Sequence, residues 1–216
     1  MTNQKRGLLI TFEGIDGCGK STLSKMLVQW LKAQNYSVLH TFEPGGSELG
    51  KRLRQLLLQD DFTASGETLG DKAELLMFAA DRAQHVLNVI APAIESGTFV
   101  VCDRYIDSTF AYQGGGRKIN LKFLAALNDF AVGDMVPDLT FYLRVPMQLA
   151  LKRRGRQTDR MEREDLKFHE DVAAAYEKLA NQYPKRIHAI DGAGNPEEVF
   201  ILIQPIMEQY LAQYNL

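Results

Sequence analysis

An α/β fold around a parallel sheet is the architecture this sequence predicts, and three observations carry it. Short apolar runs containing β-branched residues alternate with longer stretches whose apolar residues recur at helical spacing. The runs are mainly apolar, as in strands covered by helices on both faces. Charged and glycine-rich clusters sit just after the runs, where sheets of this kind bind ligands.

Taken in order, residues 8–12 (Leu-Leu-Ile-Thr-Phe), bounded by Gly7, read as a buried strand. Gly14-Ile15-Asp16-Gly17-Cys18-Gly19-Lys20-Ser21 follows and fits the phosphate-loop pattern G-x-x-x-x-G-K-[ST], with Thr22 next. Leu23, Met26, Leu27, Trp30 and Leu31 keep helical spacing, so a helix starts near Lys20. A strand at 37–42 leads into a Glu43-Pro44-Gly45-Gly46 turn. Ser47 caps a helix carrying Leu49, Leu53, Leu56 and Leu57. Residues 60–70 are polar and punctuated by glycine, hence loop. A long helical pattern runs over 72–95, with Pro92 kinking it or opening a new turn. Strands follow at 98–102, 139–145 and 186–190, and the last helix starts after Pro196.

At 216 residues the chain is expected to form one domain spanning 1–216. A net charge of −2 gives no general affinity for nucleic acid or a membrane surface, so any basic site must be local. No apolar run approaches the roughly 20 residues of a membrane span, and the N-terminus lacks a secretory pattern. The two cysteines, Cys18 and Cys102, have no metal-type spacing, which fits a reduced, cytoplasmic protein.

Strand, glycine turn and helix together are what triphosphate binding needs. The glycines let backbone N–H groups and the helix N-terminus point at phosphate oxygens. Lys20 adds a mobile charge and the Ser21 hydroxyl can ligate Mg²⁺. The same helix-terminal amides are expected to lower the Cys18 thiol pKa, making it alkylatable with loss of activity and protection by ATP.

Four clusters accompany the loop. Asp103-Arg104-Tyr105 ends a strand, placing a carboxylate for Mg²⁺ and a guanidinium able to bridge two phosphoryl groups. Lys152, Arg153, Arg154, Arg156 and Arg160 put five cations in nine residues, with Asp159 the single acid. Such an arm can close over a transferring phosphoryl group, whose negative charge is spread over its oxygens. Glu43-Pro44-Gly45-Gly46 comes with Arg54 two turns into the next helix. Phe78 and Arg82 share a helix face at i, i+4 and come with Ser108, Tyr112 and Gln113, an aromatic plate beside a guanidinium that suits a nucleobase.

The combination of residues 12–22, 43–46, 71–82 and 103–117, with Pro-Asp-Leu-Thr at 137–140 and Asp-Arg-Met-Glu at 159–162, resembles the bacterial thymidylate kinase family. The resemblance spans about residues 7–190 and implies a P-loop fold with five parallel strands in the order 2-3-1-4-5, flanked by helices, with a short arginine-rich lid at about 152–163. It implies transfer of the ATP γ-phosphate to dTMP with Mg²⁺, in a homodimer without nucleic-acid or membrane partners. Gly14, Ile15, Asp16, Gly17, Cys18, Gly19, Lys20, Ser21 and Thr22 would hold ATP, with Arg160 on the same side. Ser21 and Asp103 would hold the metal. Asp16 would reach the acceptor 3′-hydroxyl, and Arg54 and Arg104 the acceptor phosphate, beside Glu43 and Pro44. Phe78 would stack on the base and Arg82 meet a thymine carbonyl. Ser108 and Gln113 would lie along the base, and Tyr112 would leave no room for a ribose 2′-hydroxyl. Lys20, Arg104, Arg153 and Arg156 would carry catalysis; Gly17, where eukaryotic members have arginine, assigns the catalytic guanidinium to the lid.

Two positions depart from the family pattern. Phe42 stands where bacterial members usually have arginine, and Arg144 where an aspartate is common. A kinase for another nucleoside monophosphate is the alternative that the 78–113 block argues against. A GTP-dependent switch would need an Asn-Lys-x-Asp motif, which is absent from the sequence.

Overall fold

The computed structural model describes residues 6–59, 66–155 and 159–215. Its centre is one parallel sheet of β1 (Leu9–Glu13), β2 (Val38–Phe42), β3 (Phe99–Asp103), β4 (Leu139–Arg144) and β5 (Ile187–Asp191). The strands lie in the order β2-β3-β1-β4-β5, as the family resemblance implies. Every strand matches its predicted run to within a residue or so at each end.

Both faces of the sheet are covered, so the three inner strands β3, β1 and β4 are buried at nearly every position, whereas the edge strands β2 and β5 are more open. Ile10, Phe12, Phe99, Val101 and Phe141 point into one core, with Leu23, Leu27 and Leu31 of α1 (Lys20–Ala33) and Ile203 and Met207 of α9 (Pro196–Asn215). Leu9, Val100 and Cys102 point into the other, against Val86, Ile90 and Ile94. This alternation follows from the two-residue period of a strand.

α2 (Glu48–Leu58) begins at the predicted cap, where the Ser47 hydroxyl accepts a hydrogen bond from the Gly50 amide at 3.0 Å. Of its four predicted apolar residues, Leu57 is fully buried, whereas Leu49 and Leu56 are exposed, because α2 lies at the rim of the site. The long helical pattern resolves into α3 (Asp71–His85), a π-helical turn at Val86–Ile90 and α4 (Ala91–Glu95). Pro92 falls in the first turn of α4, where its missing N–H is least harmful. After β3 come a short turn, α5 (Ile106–Ser108), and a π-helical stretch, Thr109–Gly116.

Three helices lie where the sequence pattern names none. They are α6 (Leu121–Val132), capped by the Asn120 side chain, α7 (Met147–Arg154) and α8 (Leu166–Gln182), capped by Asp165. Phe168, Val172, Tyr176 and Leu179 of α8 are buried at helical spacing, a signal present in the sequence. Among the described residues no helix is long and apolar enough to cross a membrane.

The order of the strands positions the site. The chain leaves β1 toward the β2 side and leaves β3 toward the β4 side, so a crevice opens at the carboxyl ends of neighbouring β1 and β3. Arg104 follows β3 there in a left-handed conformation (φ 69°), its amide bonded to the Phe12 carbonyl at 2.9 Å.

Candidate active site

The phosphate loop needs its glycines. Gly14 (φ 137°), Gly17 (φ 84°) and Gly19 (φ 99°) all take conformations that other residues rarely adopt. At Gly17 a Cβ would also lie 2.2 Å from the Ala150 carbonyl oxygen, so the loop sits flush against α7. The Lys20 ammonium is tucked inside, donating to the Gly14 and Ile15 carbonyls at 3.1 and 3.0 Å. The Ser21 hydroxyl donates to the Asp103 carboxylate at the end of β3. Two oxygen donors thus meet beside the loop, the donor chemistry that Mg²⁺ selects.

A cavity of about 860 Å³ opens over residues 16–22 and extends past Arg153 to Gly192, Asn195 and Val199 on one side and to His40, Phe42 and Arg54 on the other. A smaller one of about 110 Å³ adjoins it, sharing Asp16, Glu43, Arg54, Arg104 and Asp159 as a common wall. All ten residues expected to meet the acceptor line this smaller cavity: those four, other than Asp159, with Pro44, Phe78, Arg82, Ser108, Tyr112 and Gln113. The structure therefore has two connected compartments, one beside the phosphate loop and one beside the aromatic plate.

Arg104 and Asp16 form the boundary. The Arg104 guanidinium donates to Asp16 Oδ1 and to the Gly14 carbonyl, and lies over the Tyr112 ring at 5.0 Å. Tyr112 Oη donates to Asp16 Oδ2 at 2.9 Å. Burial alone would raise the Asp16 pKa, but the charges of Arg104 and Lys20 outweigh it and hold the carboxyl well below the usual range.

Arg82 is more committed than the sequence suggests. It is 3% exposed and donates to Glu43 at 2.8 Å, Thr109 at 2.6 Å, Asn128 at 3.0 Å and the Tyr105 carbonyl at 3.1 Å. Glu43 also accepts at 2.9 Å from His85, whose other nitrogen bonds Thr41 at 2.7 Å. Asp81 accepts from the Gly45 amide at 3.0 Å. The 43–46 turn is thus clamped from β2 and α3. Gln113 donates to the fully buried Glu74 at 2.8 Å, whose second oxygen takes Arg117 at 2.9 Å and Arg160 at 2.6 Å. Burial opposes the Glu74 charge, yet these donors win and keep its pKa below the ordinary value.

The arginine-rich arm divides. Arg153 lines the large cavity, its guanidinium spread over the carbonyls of Gly192, Ala193 and Gly194 at 2.6–2.7 Å. Arg160 turns away from the phosphate loop toward α2 and α3, bonding the Leu57 carbonyl at 3.1 Å besides Glu74. Arg156 lies outside the described residues.

The Cys18 expectation is overturned. Its side chain is 1% exposed, and burial pushes the thiol pKa up against the opposing charges of Lys20 and Arg104. The two departures find local partners. The Phe42 ring lies 5.6 Å from the Arg54 guanidinium carbon, while Arg54 Nη1 donates to the Pro44 carbonyl at 2.7 Å. Arg144 forms a two-pronged pair with Glu177 of α8 at 2.6 Å.

Sequence reasoning missed Glu13, Glu74, Asp81, His85, Arg117 and Tyr176. A faint signal existed for the carboxylates: Glu13 closes an otherwise apolar strand, and Glu74 and Asp81 lie seven residues apart on one apolar helix face.

A family model described as Thymidylate kinase matches residues 12–203. The thymidylate kinase of Nostoc sp. is 43% identical over 211 residues, covering 96% of this chain and 99% of that protein. That of Desulfovibrio desulfuricans is 44% identical over 213 residues, covering 94% and 96%. Among solved structures, the thymidylate kinase from Ehrlichia chaffeensis superposes with a TM-score of 0.76 at 34% identity, covering 94% of this chain and 99% of that one.

Proposed function

The chain belongs to the thymidylate kinase family, and on that premise we propose how its site transfers the γ-phosphate of ATP to dTMP, giving dTDP and ADP. The observation that carries the assignment of roles is the pair of compartments meeting at Asp16 and Arg104. ATP occupies the larger, its phosphates on the loop amides and Lys20. dTMP occupies the smaller, its base on Phe78 beside Gln113 and its sugar against Asp16 and Tyr112. Arg54 and Arg104 hold its phosphate at the shared wall, facing the donor.

The acceptor phosphate is already an anion, so the reaction needs little base chemistry. What opposes it is repulsion between two polyanions, which Lys20, Arg54 and Arg104 reduce while holding the reacting atoms in line. Ser21 and Asp103 would hold Mg²⁺, which would supply charge neutralisation at the donor phosphates. Arg153, on the wall of the donor compartment, steadies the 192–194 turn at its far end, and Arg156 supplies a further cation from the lid.

The chain works as a single domain and a homodimer in the cytoplasm. One sheet spanning Leu9–Asp191 supports the first. For the second, Phe123 and Phe130 of α6 lie one face apart by seven residues and are 52% and 87% exposed; neighbouring α3 exposes Leu76, and the π-helical turn after it Leu87. Two free, buried cysteines fit a reducing compartment.

The test is an ADP-release assay with MgATP and dTMP, dUMP, dCMP and UMP in turn. Preference for dTMP is expected. Equal turnover of dCMP or UMP would reject the assignment of the 78–113 residues and favour the other monophosphate kinase.

A further inference from the structure

We propose that Glu13, acting through the hydroxyls of Ser108 and Tyr176, is the positioning residue that aims Arg104 at the acceptor phosphate. The proposal rests on the role given to Arg104 above. Glu13 is the last residue of β1 and is fully buried. One of its oxygens accepts from the amides of Tyr105 at 2.7 Å and Ser108 at 3.3 Å. The other accepts from Ser108 Oγ at 2.7 Å and Tyr176 Oη at 2.8 Å.

These bonds act on Arg104 in two ways. By holding the Tyr105 and Ser108 amides, Glu13 fixes the turn whose first residue is Arg104, in its left-handed conformation (φ 69°). By taking the single proton of each hydroxyl, it turns their lone pairs outward. Arg104 Nη1 meets those lone pairs at 3.3 Å on Ser108 and 3.5 Å on Tyr176, besides the Gly14 carbonyl at 3.0 Å. The carboxylate touches neither substrate compartment, yet it decides which way the hydroxyls point and so where the guanidinium rests.

Only the ionised carboxylate can do this, since a protonated one must itself donate and one hydroxyl then turns. The groups facing it are Asp107 of α5, Arg104, Tyr176 of α8, Arg82 of α3, Arg186 ahead of β5 and Cys102 of β3. Burial and the Asp107 charge push the Glu13 carboxyl up to about 7, against the bonds from Ser108 and Tyr176 and the charge of Arg104.

The experiment measures KM for dTMP and for ATP from about pH 6 to about pH 9 with the full chain and Glu13→Gln, Tyr176→Phe and Arg104→Ala. Glu13→Gln should raise KM for dTMP roughly tenfold over the parent near pH 9, falling toward equality near pH 6, where the parent is itself protonated. Titration of dTMP is common to all variants and cancels in the ratio. Tyr176→Phe keeps the ring and should raise KM for dTMP about threefold. KM for ATP should stay within about twofold in both. A ratio independent of pH, or equal effects on the two substrates, would overturn the proposal. If Glu13→Gln does not fold, an unchanged KM for dTMP in Tyr176→Phe overturns it alone. Arg104→Ala separates the two failures: if it leaves KM for dTMP unchanged, the role of Arg104 itself is wrong.

Discussion

Replacing Glu43 by glutamine should destabilise the protein by several kcal/mol, because it removes the charge that pairs with the buried Arg82. The Glu43 side chain is 3% exposed, Arg82 is 3% and His85 is fully buried. The amide oxygen can still accept from one of these partners, but its NH₂ faces the other, and the Arg82 guanidinium loses its counter-charge. Stranding one member of a buried pair costs about 3–5 kcal/mol. Arg82 keeps its bonds to Thr109, Asn128 and the Tyr105 carbonyl, which places the loss near the lower end, about 3 kcal/mol. For a domain of this size, that is a fall in Tm of roughly 6–12 °C. Urea unfolding followed by circular dichroism should show a lower midpoint with an unchanged slope. Glu43→Gln with Arg82→Met should lose less than the sum of the single changes, since the double variant strands no charge. A loss below about 1 kcal/mol, or strict additivity, would refute the reasoning.

Cys18 should resist alkylation in the native protein, being labelled only as fast as the chain opens; labelling at the rate of a free thiol would contradict its burial. Phe42→Leu should raise KM for dTMP about threefold, with Phe42→Tyr near the parent, because the ring orients Arg54 without neutralising it; equal effects of both would count against this. Burial and the nearby Glu43 charge push Asp81 up to about 6, against the Gly45 amide bond. A raised native pKa stabilises fully below the ordinary carboxylate value and is lost as pH rises through about 6. The stability deficit of Asp81→Asn should therefore shrink by roughly 2–3 kcal/mol between about pH 4 and about pH 8, and a deficit independent of pH would show that Asp81 does not titrate there.

Much of the site was legible because its chemistry is local or its residues follow strands in a fixed pattern. Consecutive glycines, a lysine and a serine after a buried strand dictate a phosphate loop whatever surrounds them. The ten residues that the family resemblance assigns to the acceptor, spread over positions 16–113, line one cavity. The arginine-rich arm was not legible in the same way. A guanidinium takes the nearest set of acceptors, and the sequence does not say that Arg153 has three carbonyls at residues 192–194 in reach, or that Arg160 has Glu74. Cys18 failed for a related reason: the helix terminus favours a thiolate, but burial opposes it more strongly, and burial belongs to the whole molecule.

By itself, then, the sequence determined the parallel sheet and the phosphate loop, which strand period and glycine conformation set directly. The residues lining the smaller cavity were named through the family resemblance, not by any local rule. Only the tertiary structure decided how the charged groups are shared. Glu13 and Tyr176, 163 positions apart, meet at 2.8 Å beneath Arg104, and α3 and β2 together enclose Glu43. Such pairings depend on distance and on the exclusion of water, and a chain acquires both only when its helices close over the sheet.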